Sequence, residues 1–451
     1  MFLPASLLES LEGIKGYDRS SFEKIHLSGQ QVTSIRLNPF KSFSPDPSWE
    51  TSPVSWCPQG YYLSERPSFT LDPLFHAGAY YVQEASSMFL WQVLQDIYTE
   101  GGHWKVLDLC AAPGGKTTLL SSFFKEGLVV ANEVIKSRAA VLVENLTKWG
   151  IDQVIITNND PAHFQSLPGY FDLMLIDAPC SGSGLFRKDP AAVAEWSPEN
   201  VTLCSQRQKR IVADALPALK EDGILIYATC SYSPEEDEAI ADWLVGEMDM
   251  ENIPIHFQTE WGIVETISRV HQAKGYRFYP YKLKGEGFFT AVFKKKSATQ
   301  NIRLKEMVLP TPSRQELTQV AGFMNLPEIY TLFKQSETIR TIRKEWLPAL
   351  QCLAKQLYIK KAGVEIGTLK GKDLIPSHEL ALSLLPVDDF PSVELSRTDA
   401  LQYLRRKEIV LHTHHTGWSL VRFEGLPLGW VKILANRVNN YYPAEWRILK
   451  E

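Results

Sequence analysis

At 451 residues, with 44% hydrophobic and 22% charged side chains, the chain is too rich in apolar groups to be disordered and, at about 150 residues per domain, divides into two or three domains. The net charge of −5 hides an asymmetry: residues 301–451 hold 21 Lys and Arg against 16 Asp and Glu, which leaves −10 on residues 1–300. A basic second half can meet a polyanion, although so small a surplus also suits a plain solvated surface.

Six cysteines, at 57, 110, 180, 204, 230 and 352, form no C-x-x-C pair and no zinc-type spacing with histidine. Neither a metal site nor a disulfide framework is expected, and free thiols point to the cytosol. The first residues carry acids where an export signal has bases, and no apolar run approaches the ~18 residues of a membrane span, so no membrane association is expected.

Taken in order, residues 4–14 and 21–27 read as helices and residues 33–38 as a strand, before a Pro- and Ser-rich loop at 42–53. A second strand-like piece at 61–63 and the segment 79–88 lead to a helix at 88–97. From Lys105, strands at 106–109, 128–132, 154–158, 171–177, 223–229 and 288–293 alternate with helices at 116–124, 135–149, 198–219 and 234–245. Such alternation predicts an α/β fold with a parallel sheet covered on both faces and its ligands at the carboxyl ends of the strands. Residues 294–311 read as a linker, 313–358 as a helical region with a basic strip at 339–344, and residues from 363 as a strand-rich module. The expected boundaries are 1–70, 71–298, 299–362 and 363–451.

Function should sit on the turn after the first sheet strand, LDLCAAPGGKT at 107–117. Its tail has the G-K-T of a phosphate loop, but the first glycine of that motif is replaced by Cys110, and Gly114 and Gly115 are adjacent, which breaks G-x-G-x-x-G. Acids stand at successive strand ends: Asp108, Glu133, Asp160 and Asp177. Glu133 is placed to accept the ribose hydroxyls of a nucleoside, so an adenosine ligand without a long phosphate tail fits, S-adenosylmethionine among them. Two further strand ends carry thiols in loops of small residues, Cys180 in DAPCSGSG at 177–184 and Cys230 in ATCSYSP at 228–234. Neighbouring parallel strands would bring both into one pocket beside Asp177.

Together with GEGFF at 285–289, these stretches resemble the motif series of the Nol/Nop/Sun family of RNA cytosine-C5 methyltransferases. YYVQEASSM at 80–88 resembles the family's lead-in, while GLPLGW at 425–430 and NNYYP at 439–443 resemble the C-terminal RNA-binding part of the bacterial branch acting on 16S ribosomal RNA. The resemblance implies a Rossmann-like seven-stranded class I methyltransferase sheet, a small N-terminal α/β domain and a C-terminal PUA-like domain. It implies S-adenosylmethionine held by Cys110, Ala111, Ala112, Pro113, Gly114, Gly115, Lys116, Glu133, Asp160 and Asp177. Cys230 falls on the family's nucleophile, Cys180 on the cysteine associated with product release, and Asp177 on the group facing the base. The implied partner is ribosomal RNA or the small ribosomal subunit, for which a monomer is sufficient.

Arg187, Lys188, Arg207, Lys209, Arg210 and GYRFYP at 275–280 are candidate RNA-backbone contacts. Tyr281 stands where the family often has His, and it cannot titrate near neutrality. His163 and the histidines at 412, 414 and 415 read as surface or strand residues. A nucleotide-dependent kinase using Gly115-Lys116-Thr117, a slow assembly factor that keeps the fold, and transfer RNA as substrate stay open as alternatives.

Overall fold

The computed structural model describes residues 3–43, 49–98, 102–298, 304–371, 373–387, 389–411 and 413–450. Parts of the expected 42–53 loop and 294–311 linker, and His412 at the end of a strand expected over 408–412, lie outside these residues.

A ten-stranded sheet occupies the centre. Its strands in chain order are β1 (Lys105–Asp108), β2 (Leu128–Asn132), β3 (Val154–Thr157), β4 (Phe171–Asp177), β5 (Leu219–Thr229), β6 (Met250–Asn252), β7 (Val264–Ile267), β8 (Lys274–Phe278), β9 (Phe288–Lys295) and β10 (Ile359–Ala362). The path β3-β2-β1-β4-β5-β9-β8 supplies seven strands, with β1 to β5 parallel and β9 antiparallel to β5. β7 extends one edge, β10 extends the other, and the short β6 pairs with β9. The strand order reverses between β1 and β4, which opens a crevice at their carboxyl ends. Each parallel strand is apolar on both faces. Leu107, Val130, Ile155 and Met174 pack into one layer, and Val106, Val129, Ile156 and Leu173 into the other. Full burial of such a side chain contributes roughly 1.5–3 kcal/mol, and the strand ends, where the apolar runs stop, are left to polar groups.

The N-terminal part folds as helices Ala5–Ser10 and Arg19–Leu27 beside a four-stranded antiparallel sheet, in the order Thr51–Pro53, Gly60–Leu63, Thr33–Leu37, Tyr80–Val82. Tyr80–Val82 thus pairs with residues before the expected boundary at 70.

Residues 313–358 differ from the helical expectation. Helices Arg314–Phe323 and Leu347–Gln356 flank a hairpin, Tyr330–Gln335 with Thr338–Arg343. Four of the six residues of the TIRTIR run are β-branched, which suits a pleated strand better than a helix. The basic strip is also consumed: Arg340 pairs with Glu365 and Glu379, and Arg343 with Asp152 and Glu126. Val364–Lys370 and Asp373–Pro376 complete this sheet, while Ser392–Glu394, Gly417–Phe423, Leu426–Ile433 and Val438–Asn440 form a separate four-stranded one. The strand expected over 408–412 is absent at residues 408–411.

Candidate functional site

Four loops converge where β1, β2, β4 and β5 end. The first turns through Cys110 to Gly114 into helix Gly115–Phe123, with Gly114 at φ +114°, a conformation that L side chains rarely adopt. Arg138 donates to the Ala112 carbonyl at 2.7 Å and Asn145 to the Pro113 carbonyl at 2.8 Å, so distant side chains hold the turn in shape. Beneath it, Asp108 is fully buried and accepts from the Thr117 hydroxyl at 2.6 Å. Burial pushes the Asp108 carboxyl up to about 7, against the pull of that hydrogen bond.

The acids at the other strand ends face the crevice. Glu133 accepts from the Ile135 amide at 2.9 Å and has Arg138 3.5 Å away. Asp160 accepts from the Ala162 amide at 3.0 Å, capping the turn after β3. Asp177 takes the Lys116 ammonium at 2.7 Å. Burial works against charge on Lys116, but Asp177 outweighs it and the ammonium is held above its ordinary pKa.

Cys110, Ala112, Glu133, Asp160, Asp177, Cys180 and Cys230 line one cleft of about 470 Å3, with Leu109, Ile135, Pro161, Pro179 and Ile211 among its apolar walls. That size and mixture suit a nucleoside-like ligand. Ala111, Pro113, Gly115 and Lys116 instead face an adjoining recess of about 310 Å3, which shares Cys110, Ala112, Asp177 and Leu185 with the cleft. The residues assigned to one cofactor turn therefore divide between two cavities, and Gly114 lines neither of them.

The thiols meet. Cys180 Sγ and Cys230 Sγ are 3.0 Å apart, and both cysteines are free. The hydrogen bond with Cys230 and then burial hold Cys180 well above the ordinary thiol range.

Glu236, which sequence reasoning missed, ties the two thiol loops together. Buried at the start of the segment after β5, it accepts from the Ser181 amide at 2.9 Å, the Ser231 hydroxyl at 2.6 Å, the Gln208 amide group at 3.0 Å and the Ser181 hydroxyl. Each serine adjoins one of the cysteines. Burial raises the Glu236 carboxyl, opposed by these hydrogen bonds. Only a carboxylate following the Cys230 loop hinted at it.

Close backbone approach completes the arrangement. The Gly184 amide donates to the Cys230 carbonyl at 2.9 Å and the Gly287 amide to the Gly184 carbonyl at 3.1 Å. A Cβ on Gly184 would lie 2.4 Å from the Gly287 carbonyl oxygen, so GEGFF is a packing partner of both thiol loops.

Several expected RNA contacts have other work. Arg187 forms a buried, two-pronged ion pair with Glu286 at 2.8 and 3.0 Å. Arg277, also buried, pairs with Asp237 and Glu238 and donates to the Tyr232 carbonyl at 2.8 Å. Lys209 lies 5.6 Å from the Trp243 ring centre. Arg207 and Arg210 line the cleft. Tyr281 accepts from the Asp18 amide at 2.9 Å and donates to the Gly16 carbonyl at 2.5 Å, which ties the N-terminal helices to the core.

Among the described residues there is no His, Cys, Asp and Glu group able to hold a metal, and no helix is long and apolar enough to cross a membrane. His163 sits in the turn capped by Asp160.

Comparison with known proteins matches residues 98–294 to the family described as 16S rRNA methyltransferase RsmB/F. Residues 3–85 match the N-terminal domain of 16S rRNA methyltransferase RsmF, and residues 390–448 match the methyltransferase RsmF PUA domain. The chain is 30% identical over 437 residues to the ribosomal RNA small subunit methyltransferase F of Aliivibrio salmonicida, covering 91% of this chain and 90% of the relative. It is 29% identical over 437 residues to the Escherichia coli K12 protein of that name, covering 91% and 89%. Among solved structures, a methyltransferase homolog protein from Pyrococcus horikoshii superposes with a TM-score of 0.52 at 28% identity, over 65% of this chain and 100% of that one.

Proposed function

The chain belongs to the ribosomal RNA small subunit methyltransferase F family, and from that premise we propose that it methylates C5 of a cytosine in 16S ribosomal RNA, with Cys230 as the nucleophile. The observation that carries this reading is the pair of thiols 3.0 Å apart in a cleft that also holds Glu133, Asp160 and Asp177.

S-adenosylmethionine fits the cleft. Glu133 would accept from its ribose hydroxyls, Asp160 from its adenine edge, and apolar walls at Ile135 and Pro179 would flank the ring. When bound, it would supply a methyl group on a positively charged sulfur.

Cytosine C5 is too weak a nucleophile to accept a methyl group unaided, so a covalent bond at C6 must come first. The Cys230 thiolate adds to C6, and the electron pair of the C5–C6 double bond moves towards C5 and the ring carbonyl. Asp177, ion-paired with Lys116, accepts from the exocyclic amino group and fixes the ring in that position. C5 then takes the methyl group as the methyl–sulfur bond breaks, its electron pair staying on a neutral thioether sulfur. A water in the open cleft accepts the C5 proton, the C–H electron pair restores the C5–C6 double bond, and the C6–sulfur bond breaks with its pair leaving on Cys230 as the thiolate. Cys180, its sulfur 3.0 Å from that of Cys230, donates a hydrogen bond to the Cys230 sulfur as it departs.

The base must leave its stack to reach the thiols, so the target is single-stranded or flipped. Mapping 5-methylcytosine in 16S ribosomal RNA with and without the protein tests the reading. A new methyl group on one cytosine is expected, and an unchanged map, or methylation of transfer RNA instead, would refute it.

A further inference from the structure

We propose that Arg207 and Arg210 form a seat for an RNA phosphate at the rim of the thiol cleft, gripping the backbone of the nucleotide whose base enters it. The proposal rests on the reading of the cleft as an RNA methylation site.

Helix Pro198–Ala215 buries Val201, Cys204, Gln208, Ile211 and Ala215, the i, i+3, i+4 stripe of a helix laid on a core. Gln208 fixes its rotation, donating to the Pro179 carbonyl at 3.1 Å and to Glu236 at 3.0 Å. Arg207 and Arg210, three residues apart, are therefore neighbours on one side of the helix. Both are exposed, and both line the cleft that holds Cys180 and Cys230.

What sets them apart is that their charge is unspent. The other basic residue lining the cleft, Arg138, stands beside Glu133 and donates to the Ala112 carbonyl. Lys116 is spent on Asp177, and Arg187 and Arg277 on buried carboxylates. Among the described residues Arg207 and Arg210 make no ion pair, although the acids Glu133, Asp160 and Asp177 line the same cleft. Two free guanidinium groups at such a rim present planar, multi-donor faces to an anion. A base that enters the cleft to reach Cys230 leaves its phosphodiester outside, on the side of the cleft where this exposed pair stands. The carboxylate of the cofactor's amino-acid part offers the same chemistry, so the test must separate the two.

The test uses the whole chain with Arg207→Gln and Arg210→Gln combined. Its binding to unmodified 16S ribosomal RNA is measured over a range of salt, on free transcript and on small subunits assembled from it, and S-adenosylhomocysteine binding is measured by calorimetry. RNA affinity is expected to fall on the order of tenfold, and the log–log salt slope by roughly 0.7, the share of one phosphate on a single strand. S-adenosylhomocysteine affinity should stay unchanged, and the double Lys variant should recover most of the slope, because charge survives without the fork geometry. Unchanged RNA affinity and slope would overturn the proposal, as would weaker S-adenosylhomocysteine binding with RNA binding intact, which would give the pair to the cofactor. Failure of the wild-type protein to methylate cytosine would refute the function, a result read separately because the salt slope needs no turnover.

Discussion

The thiol cleft and the junction between the terminal parts handle buried charge in opposite ways. In the cleft, acids face an open volume: Glu133, Asp160 and Asp177 line about 470 Å3 that a ligand can fill. At the junction, bases are enclosed with hardly a carboxylate. Lys41 is buried and donates to the Ala77 and Lys148 carbonyls, both at 2.7 Å, and burial brings its pKa down to about 7. His76 meets the Thr70 carbonyl at 3.0 Å and is lowered to about 4 by burial. The ring nitrogens of His378 have no partner among the described residues, and burial takes this histidine down to about 3, helped by Lys148, Lys41 and His76. The rings of Tyr442 and Trp446 meet His378 edge-on at 5.1 and 5.3 Å. The cleft keeps its charge for a partner, whereas the junction is built to lose its charge, and each should therefore fail in its own way.

The largest effect should come from the cleft. Cys230→Ser is expected to cut methyl transfer by at least about a thousandfold, with S-adenosylhomocysteine binding retained, because only the nucleophile is lost. Equal loss of cofactor binding would mean that the thiol holds the cleft together. Cys180→Ala should accumulate a covalent protein–RNA adduct that survives denaturation, and normal turnover with no adduct would assign release to another group. Glu236→Gln should lower kcat on the order of ten- to a hundredfold with little change in cofactor KM, since it loosens both thiol loops while Glu133 and Asp160 stay in place.

The junction predicts a stability effect. A histidine whose folded pKa is depressed stabilises the fold above its unfolded pKa, and that contribution is lost as pH falls through the folded value. Melting temperature should therefore drop from about pH 6.5 towards pH 4, each histidine accounting for about 1–3 kcal/mol, and His378→Asn should flatten the drop. Asp108 acts with the opposite sign. Its raised folded pKa makes stability fall as pH rises from about 4 through about 7 and level off above, and Asp108→Asn should remove that opposing slope in thermal melts.

The catalytic core was legible because its signals are local. A strand buried on both faces must be an apolar run, and such runs at 128–132 and 171–177 gave bounds that the structure repeats. The TIRTIR stretch departs from the helical expectation because four of its six residues are β-branched, and both arginines of its basic strip stand in ion pairs. Arg187 and Arg277 were misplaced because a sequence lists cations without their carboxylates.

By itself, then, the sequence determined the parallel sheet and the loops on which acids and thiols stand, because apolar periodicity and turn residues act over a few positions, whereas the order of the strands is a tertiary outcome. Tertiary structure alone decided that two cysteines fifty positions apart lie 3.0 Å from each other, that Glu236 holds their loops, and which arginines stay free. Those outcomes depend on each buried polar group finding a partner, and the partners come from distant parts of the chain.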